Sequence, residues 1–178
     1  MKKLITILAV TIAIPALVKA QGTVNFSSTS ANHVIQITPG VAASPGSFTV
    51  GLYYGVVGST FNQLQLIGPA IQNGVGGGIS GGVRTTGIDV PGGQNAFFQV
   101  RAWAGSFASY EEAIANGVGA VGFSPIFTNS TGNPTGTPPT PPANLTGWTS
   151  PIVIVPEPST IVLGMVGAAS LLFIRRRN

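Results

Sequence analysis

The stretch Asn95-Ala96-Phe97-Phe98-Gln99-Val100-Arg101-Ala102-Trp103-Ala104 alternates with a period of two. Phe98, Val100, Ala102 and Ala104 fall on one side; Phe97, Gln99, Arg101 and Trp103 fall on the other. Consecutive strand side chains point to opposite faces of a sheet, so this reads as a β-strand whose first face meets a core. Working outward, Thr23–Ser27 and residues 33–38 alternate in the same way. Residues 47–54 place Phe48, Val50, Leu52 and Tyr54 on one face. Residues 83–90 are rich in β-branched side chains, and 121–128 and 147–155 are shorter candidates. Gly and Pro clusters separate these runs, among them Pro45-Gly46, Gly76-Gly77-Gly78 and Pro91-Gly92-Gly93. Many short strands with turn signals between them predict a mostly β chain, a single β-sandwich of Ig-like or jelly-roll-like type.

One short helix is expected within it. Ser109-Tyr110-Glu111-Glu112 is a capping box: the Ser109 hydroxyl accepts from the backbone three residues on, and Glu112 reaches back. Ala113-Ile114-Ala115-Asn116 continues the helix, and Gly117 stops it. Residues 128–150 contain Pro138-Pro139-Thr140-Pro141-Pro142, a composition that favours extended, solvated chain. Two readings stay open. As a linker, this segment leaves 147–155 as a stalk. As a loop, it returns them as a final edge strand, where Pro151 is tolerated. The expected organisation is a sandwich over 21–127, a Thr/Pro-rich loop or linker over 128–150, and a final strand or stalk plus tail over 151–178.

Charge limits the chemistry. Between residues 21 and 155 the charged side chains are Arg84, Arg101, Asp89, Glu111 and Glu112, a formal charge of −1. The other basic residues sit at the two ends, so the sequence pI near 10 does not describe a basic face. A nucleic-acid partner is ruled out, because neutralising phosphates needs clustered Lys and Arg. With no Cys and a single His, zinc ligation has no donor set. Three acids, two of them neighbours, make a poor calcium site. No metal and no cofactor is expected.

His33 is the sole imidazole, and a Ser–His33–Asp89 triad lacks a Gly-x-Ser-x-Gly elbow. It reads as an ordinary strand-start residue. Glu111 and Glu112 diverge by about 100° on a helix and cannot flank one glycosidic bond. Asp89 serves as a partner only if the fold brings it to either. Gly76-Gly77-Gly78-Ile79-Ser80-Gly81 matches Gly-x-Gly-x-x-Gly, but strand-like Val83-Arg84-Thr85 follows where a nucleotide site needs a helix. The remaining specific candidate is sugar stacking on Trp103, with Gln99 and Arg101 on the same strand face. The competing reading is that the aromatics fill the core.

The two ends read as addresses. Met1-Lys2-Lys3, an apolar run from Leu4 to Val18 and small Ala20 form a three-part secretory signal. Cleavage is expected between Ala20 and Gln21. At the other end, Val155-Pro156-Glu157-Pro158-Ser159-Thr160 precedes an apolar stretch through Ile174, closed by Arg175-Arg176-Arg177-Asn178. A helix over 160–174 is about 22 Å long, against a hydrocarbon core of about 30 Å, so it spans only with strain or snorkelling arginines.

Pro-Glu-Pro, a short apolar helix and a terminal basic cluster, in that order, resemble the PEP-CTERM sorting signal. In that family the tail is read by an exosortase, an integral-membrane cysteine protease of Gram-negative bacteria that make exopolysaccharide. The tail is removed near the motif. The resemblance covers Val155 to Asn178. It implies Val155, Pro156, Glu157, Pro158, Ser159 and Thr160 as the sorting motif, and Arg175, Arg176 and Arg177 as the membrane stop. Its implied partners are signal peptidase, an exosortase, the inner membrane in transit, and exopolysaccharide. Gly22-Thr23-Val24-Asn25-Phe26 and Phe98-Gln99-Val100-Arg101-Ala102-Trp103 are similar to segments of a group of such proteins from the Verrucomicrobia and their relatives, a likeness that brings no activity with it.

These readings predict an exported, non-enzymatic protein of the cell surface or exopolysaccharide matrix, membrane-anchored until its tail is processed. The alternatives are a carbohydrate-binding module and a membrane-anchored periplasmic domain. So few charges also predict self-association at high concentration.

Overall fold

The computed structural model describes residues 20–28, 30 and 32–154. The expected signal peptide up to residue 19, the motif 155–160, the helix 160–174 and Arg175, Arg176 and Arg177 lie outside the described residues. Among the described residues, no helix is long and apolar enough to cross a membrane.

The described chain is mostly β with one short helix. In order it forms β1 (Thr23–Ser27), β2 (Ile35–Thr38), β3 (Val41–Ala42), β4 (Phe48–Gly55), β5 (Gln65–Leu66), β6 (Ile71–Gln72), β7 (Ser80–Thr85), β8 (Asn95–Ala104), α1 (Tyr110–Ala115), β9 (Val121–Phe123), β10 (Phe127–Ser130), β11 (Ala143–Asn144) and β12 (Ile152–Val153). They make one six-stranded and two three-stranded sheets. The large sheet is built on an antiparallel β4–β8 ladder running from Phe48↔Ala104 to Gly55↔Phe97. β5 and β6 add to the free side of β4, and β9 and β10 to that of β8. β1 lies between antiparallel β7 and parallel β11, and β2 between antiparallel β3 and parallel β12.

The period-two pattern of β8 sorts its side chains as expected. Ala96, Phe98, Val100 and Ala102 are fully buried in the main core. They meet Val50, Leu52 and Tyr54 of β4, Val24 and Phe26 of β1 and Ile35 of β2. Complete burial of the Phe, Val, Leu and Ile side chains among them contributes roughly 1.5–3 kcal/mol each, and of the alanines less. The opposite face of β8 is covered as well. A second cluster gathers Tyr53, Leu64, Trp103 and Ala113, with Phe97, Phe107, Tyr110 and Val121 packed against it. The chain from Gly105 to Ile126, α1 included, folds back over this face. Gly51, opposite Arg101 on β4, leaves the room it needs. A Cβ there would stand 2.8 Å from Leu66 and 3.1 Å from the Trp103 ring.

Several local expectations change. Strand β7 ends at Thr85 and does not run to residue 90. The Thr86 hydroxyl donates to the Val90 carbonyl at 2.8 Å and accepts from Gly22 N–H at 2.9 Å, which turns the chain there. The run 121–128 is two strands. Ser124 interrupts it by accepting from Val100 N–H at 3.0 Å while donating to the Pro125 carbonyl. Helix α1 starts at its box: Ser109 accepts from Glu112 N–H at 3.1 Å, but Glu112 reaches Ala108 N–H, one residue earlier than expected. Gly117, at φ +76°, takes the left-handed conformation that ends it.

The division at residue 127 is not a boundary in the structure. Thr23 and Gly132 exchange backbone hydrogen bonds, at 3.1 and 2.7 Å. Residues 133–140 form a closed excursion, in which Asn133 N–H donates to the Thr140 hydroxyl at 2.6 Å. Then β11 runs along β1, Leu145 and Trp148 enter the core, and β12 runs along β2. The segment is a loop that returns to the body. Gln21 and Gly22 are tied in too, by a bridge to Pro91 and a bond to the Val90 carbonyl.

Candidate functional site

The three residues picked as a sugar platform come together, but inside the protein. Trp103 is fully buried, and Gln99 and Arg101 are nearly so. The three share one strand face, as the alternation predicts, and α1 with its flanking loops covers that face. Trp103 donates its indole N–H to the Phe107 carbonyl at 3.1 Å, and no face of its ring is open to a ligand.

What these residues build is a knot around Arg101. Its guanidinium donates through Nε to Gln99 at 2.9 Å, through Nη1 to Glu111 Oε1 at 2.6 Å and through Nη2 to the Phe61 carbonyl at 2.6 Å. The Phe61 and Tyr53 rings lie against it, at 3.8 and 4.0 Å from their centroids. A desolvated cation between aromatic rings gains about 2 kcal/mol. Burial pulls the guanidinium below its usual range, and Glu111 works against that shift. Tyr53 donates to Glu111 Oε2 at 2.8 Å and accepts from Tyr110 N–H at 2.9 Å. Burial first, then Glu111, push its hydroxyl above the ordinary tyrosine range, while the Tyr110 N–H works the other way. Both carboxylate oxygens of Glu111 are therefore held in place, although its side chain is 56% exposed.

Above the knot lies an open hollow of about 590 Å³ lined by Phe61, Asn62, Tyr110, Glu111, Ile114 and Ala115. Phe123 adjoins it, edge-on to Phe61 at 5.2 Å and to Tyr110 at 6.5 Å. Phe123 is 52% exposed and Ile114 is 45% exposed. None of Phe61, Asn62, Phe123 or Ile114 stands out in the sequence. The signal that identifies them is spatial: the 3-10 turn Phe61–Gln63 after β4, helix α1 and strand β9 converge from separate parts of the chain.

The acids sit apart. Tyr53 and Tyr54 are neighbours on β4 and point to opposite faces. Tyr53 bonds Glu111; Tyr54 donates to Asp89 at 3.2 Å. Asp89 and Glu111 thus stand on opposite sides of the large sheet, with no common substrate between them, and Glu112 is spent on the helix cap. His33 is buried, its ring stacked on Trp148 at 4.7 Å and its Nε2 bonded to the Trp148 carbonyl. No group of three or more His, Cys, Asp or Glu side chains forms among the described residues. The Gly-rich match is a tight turn leading into β7, where a Cβ on Gly77 would stand 2.1 Å from the Ile35 carbonyl oxygen.

No protein-family model, curated protein or solved structure matches the chain.

Proposed function

We propose that this is an exported, non-enzymatic protein of the cell surface or exopolysaccharide matrix, sorted through its C-terminal tail by an exosortase. The observation that carries the reading is the ordered tail: Val155-Pro156-Glu157-Pro158-Ser159-Thr160, an apolar stretch, then Arg175-Arg176-Arg177. The amino end supports it with a positive start, an apolar run and small Ala20 before Gln21. The body supports the non-enzymatic part: Arg101, Glu111, Glu112 and Asp89 are each engaged in an internal hydrogen bond.

We read the body as a β-sandwich. The core face of the large sheet packs on side chains from β1, β2 and β12, which belong to the two smaller sheets, and that is the layering of a sandwich. Ile154 is buried and donates its N–H to the Gln36 carbonyl at 2.8 Å, so the motif begins on the next residue.

Fractionating native cells tests the reading. With the exosortase present, the protein should be recovered at the cell surface or in the matrix. With its gene deleted, the protein should be retained in the inner membrane. Equal retention in the membrane in both strains would leave it a membrane-anchored periplasmic domain.

A further inference from the structure

The aromatic hollow over the Arg101 knot is the strongest unassigned feature of the surface, and its chemistry is specific. We propose that it is a binding site for a neutral saccharide, one to two sugar rings long. The proposal does not rest on the tail or on sorting.

Three properties select that ligand class. The first is size. A hollow of about 590 Å³ lies within the range of small-ligand sites, about 300–1,000 Å³.

The second is the pairing of apolar and polar groups. Phe61 and Tyr110 in the lining, with exposed Phe123 at the rim beside them, offer ring surface to the C–H faces of a sugar, and Ile114 extends it. Beside them stand the exposed Asn62 amide and the Glu111 carboxylate. Each Glu111 oxygen spends one lone pair on the knot, on Arg101 or on Tyr53. A carboxylate oxygen has a second, so two fixed acceptors remain for adjacent sugar hydroxyls. They are held before any ligand arrives, so little ordering is required on binding.

The third is charge. The guanidinium that balances Glu111 is buried beneath the rings and is engaged by Gln99, Glu111 and the Phe61 carbonyl. Among the described residues, no other cation lines the hollow. An anionic sugar would meet the carboxylate without a compensating partner, so uronates are rejected and neutral hexoses or N-acetylhexosamines are accepted.

The test uses the full-length protein in a non-glycosidic detergent. Saturation-transfer difference NMR is recorded with cellohexaose, mannohexaose and chitohexaose, and with oligogalacturonate as the anionic comparison. Transfer to at least one neutral oligosaccharide is expected, with none to oligogalacturonate. Phe123→Ser should weaken that binding about tenfold, the loss of one ring contact with its apolar area. Asn62→Ala should weaken it as well. Both positions are on the surface, and unchanged near-UV circular dichroism of the buried tryptophans would show that the fold persists. Three results would overturn the proposal: no transfer to any neutral oligosaccharide at millimolar concentration, equal transfer to oligogalacturonate, or binding unaffected by Phe123→Ser. A fourth is a dimer that Phe123→Ser dissociates, which would make the hollow a contact between copies.

Discussion

Arg101 decides how the second face of β8 is used. A cation in that position needs partners, and it finds three hydrogen-bond acceptors and two aromatic rings. Truncation would leave a cavity among aromatics, an unbalanced Glu111 and a Tyr53 with a weakened anchor. We expect Arg101→Ala to cost about 3 kcal/mol in urea unfolding. Glu111→Gln keeps the shape and most hydrogen bonds, and the carboxylate it replaces is half exposed, so about 1 kcal/mol is expected. A reversed order of the two costs would contradict the knot. Tyrosine titration provides a second check. Burial raises Tyr53, Tyr54 and Tyr110 above the ordinary range in the folded protein. An unfolded chain releases those protons near pH 10. Stability should therefore be independent of these groups below about pH 10 and fall as pH rises above it. Tyrosinate absorbance from Tyr53, the most deeply buried of the three, should appear together with loss of circular dichroism. Ionisation of all three tyrosines in a still-folded protein would contradict its burial. At this scale the sequence showed which residues share a face, and period two makes that legible. It did not show that α1 would cover that face, because burial of a second face depends on distant chain.

At the scale of elements, the long strands and the helix were readable, and the two-residue strands were not. Thr23–Ser27 and Asn95–Ala104 carry enough residues to display their alternation, and Ser109 marks the start of α1 through its capping oxygen. β11 and β12 have two residues each, too few for any period. Proline-rich composition signals extended chain whether or not that chain is paired, so 128–150 read equally well as loop or linker. Its role is settled by contact. Gly122 of β9 shows how close the return lies: a Cβ there would stand 2.9 Å from Ile152 and 3.0 Å from the Val153 carbonyl. Trp148 anchors the same return in the core, stacked on His33. We expect Trp148→Ala to cost about 4 kcal/mol, the upper part of the range for large-to-small core changes. A cost below about 1 kcal/mol, the level of an ordinary surface change, would show the return to be peripheral.

The whole molecule joins its first strands to its last. β1 takes β11 and β2 takes β12, both in parallel, so one small sheet is complete only at Asn144 and the other only at Val153. The body carries few charges, and β7 is an edge strand with Val83 56% exposed. Its single charge, Arg84, is turned to the Pro69 carbonyl, and an edge so sparsely charged is a template for a second chain. We expect reversible self-association in sedimentation velocity that increases with concentration and decreases in Val83→Lys. A strict monomer at every concentration would contradict this. The intact mass of the protein from its native host tests its export and sorting most directly. With the exosortase present, the expected chain begins at Gln21 and ends between Val155 and Thr160. A chain still carrying Arg175-Arg176-Arg177-Asn178 in that strain would contradict it.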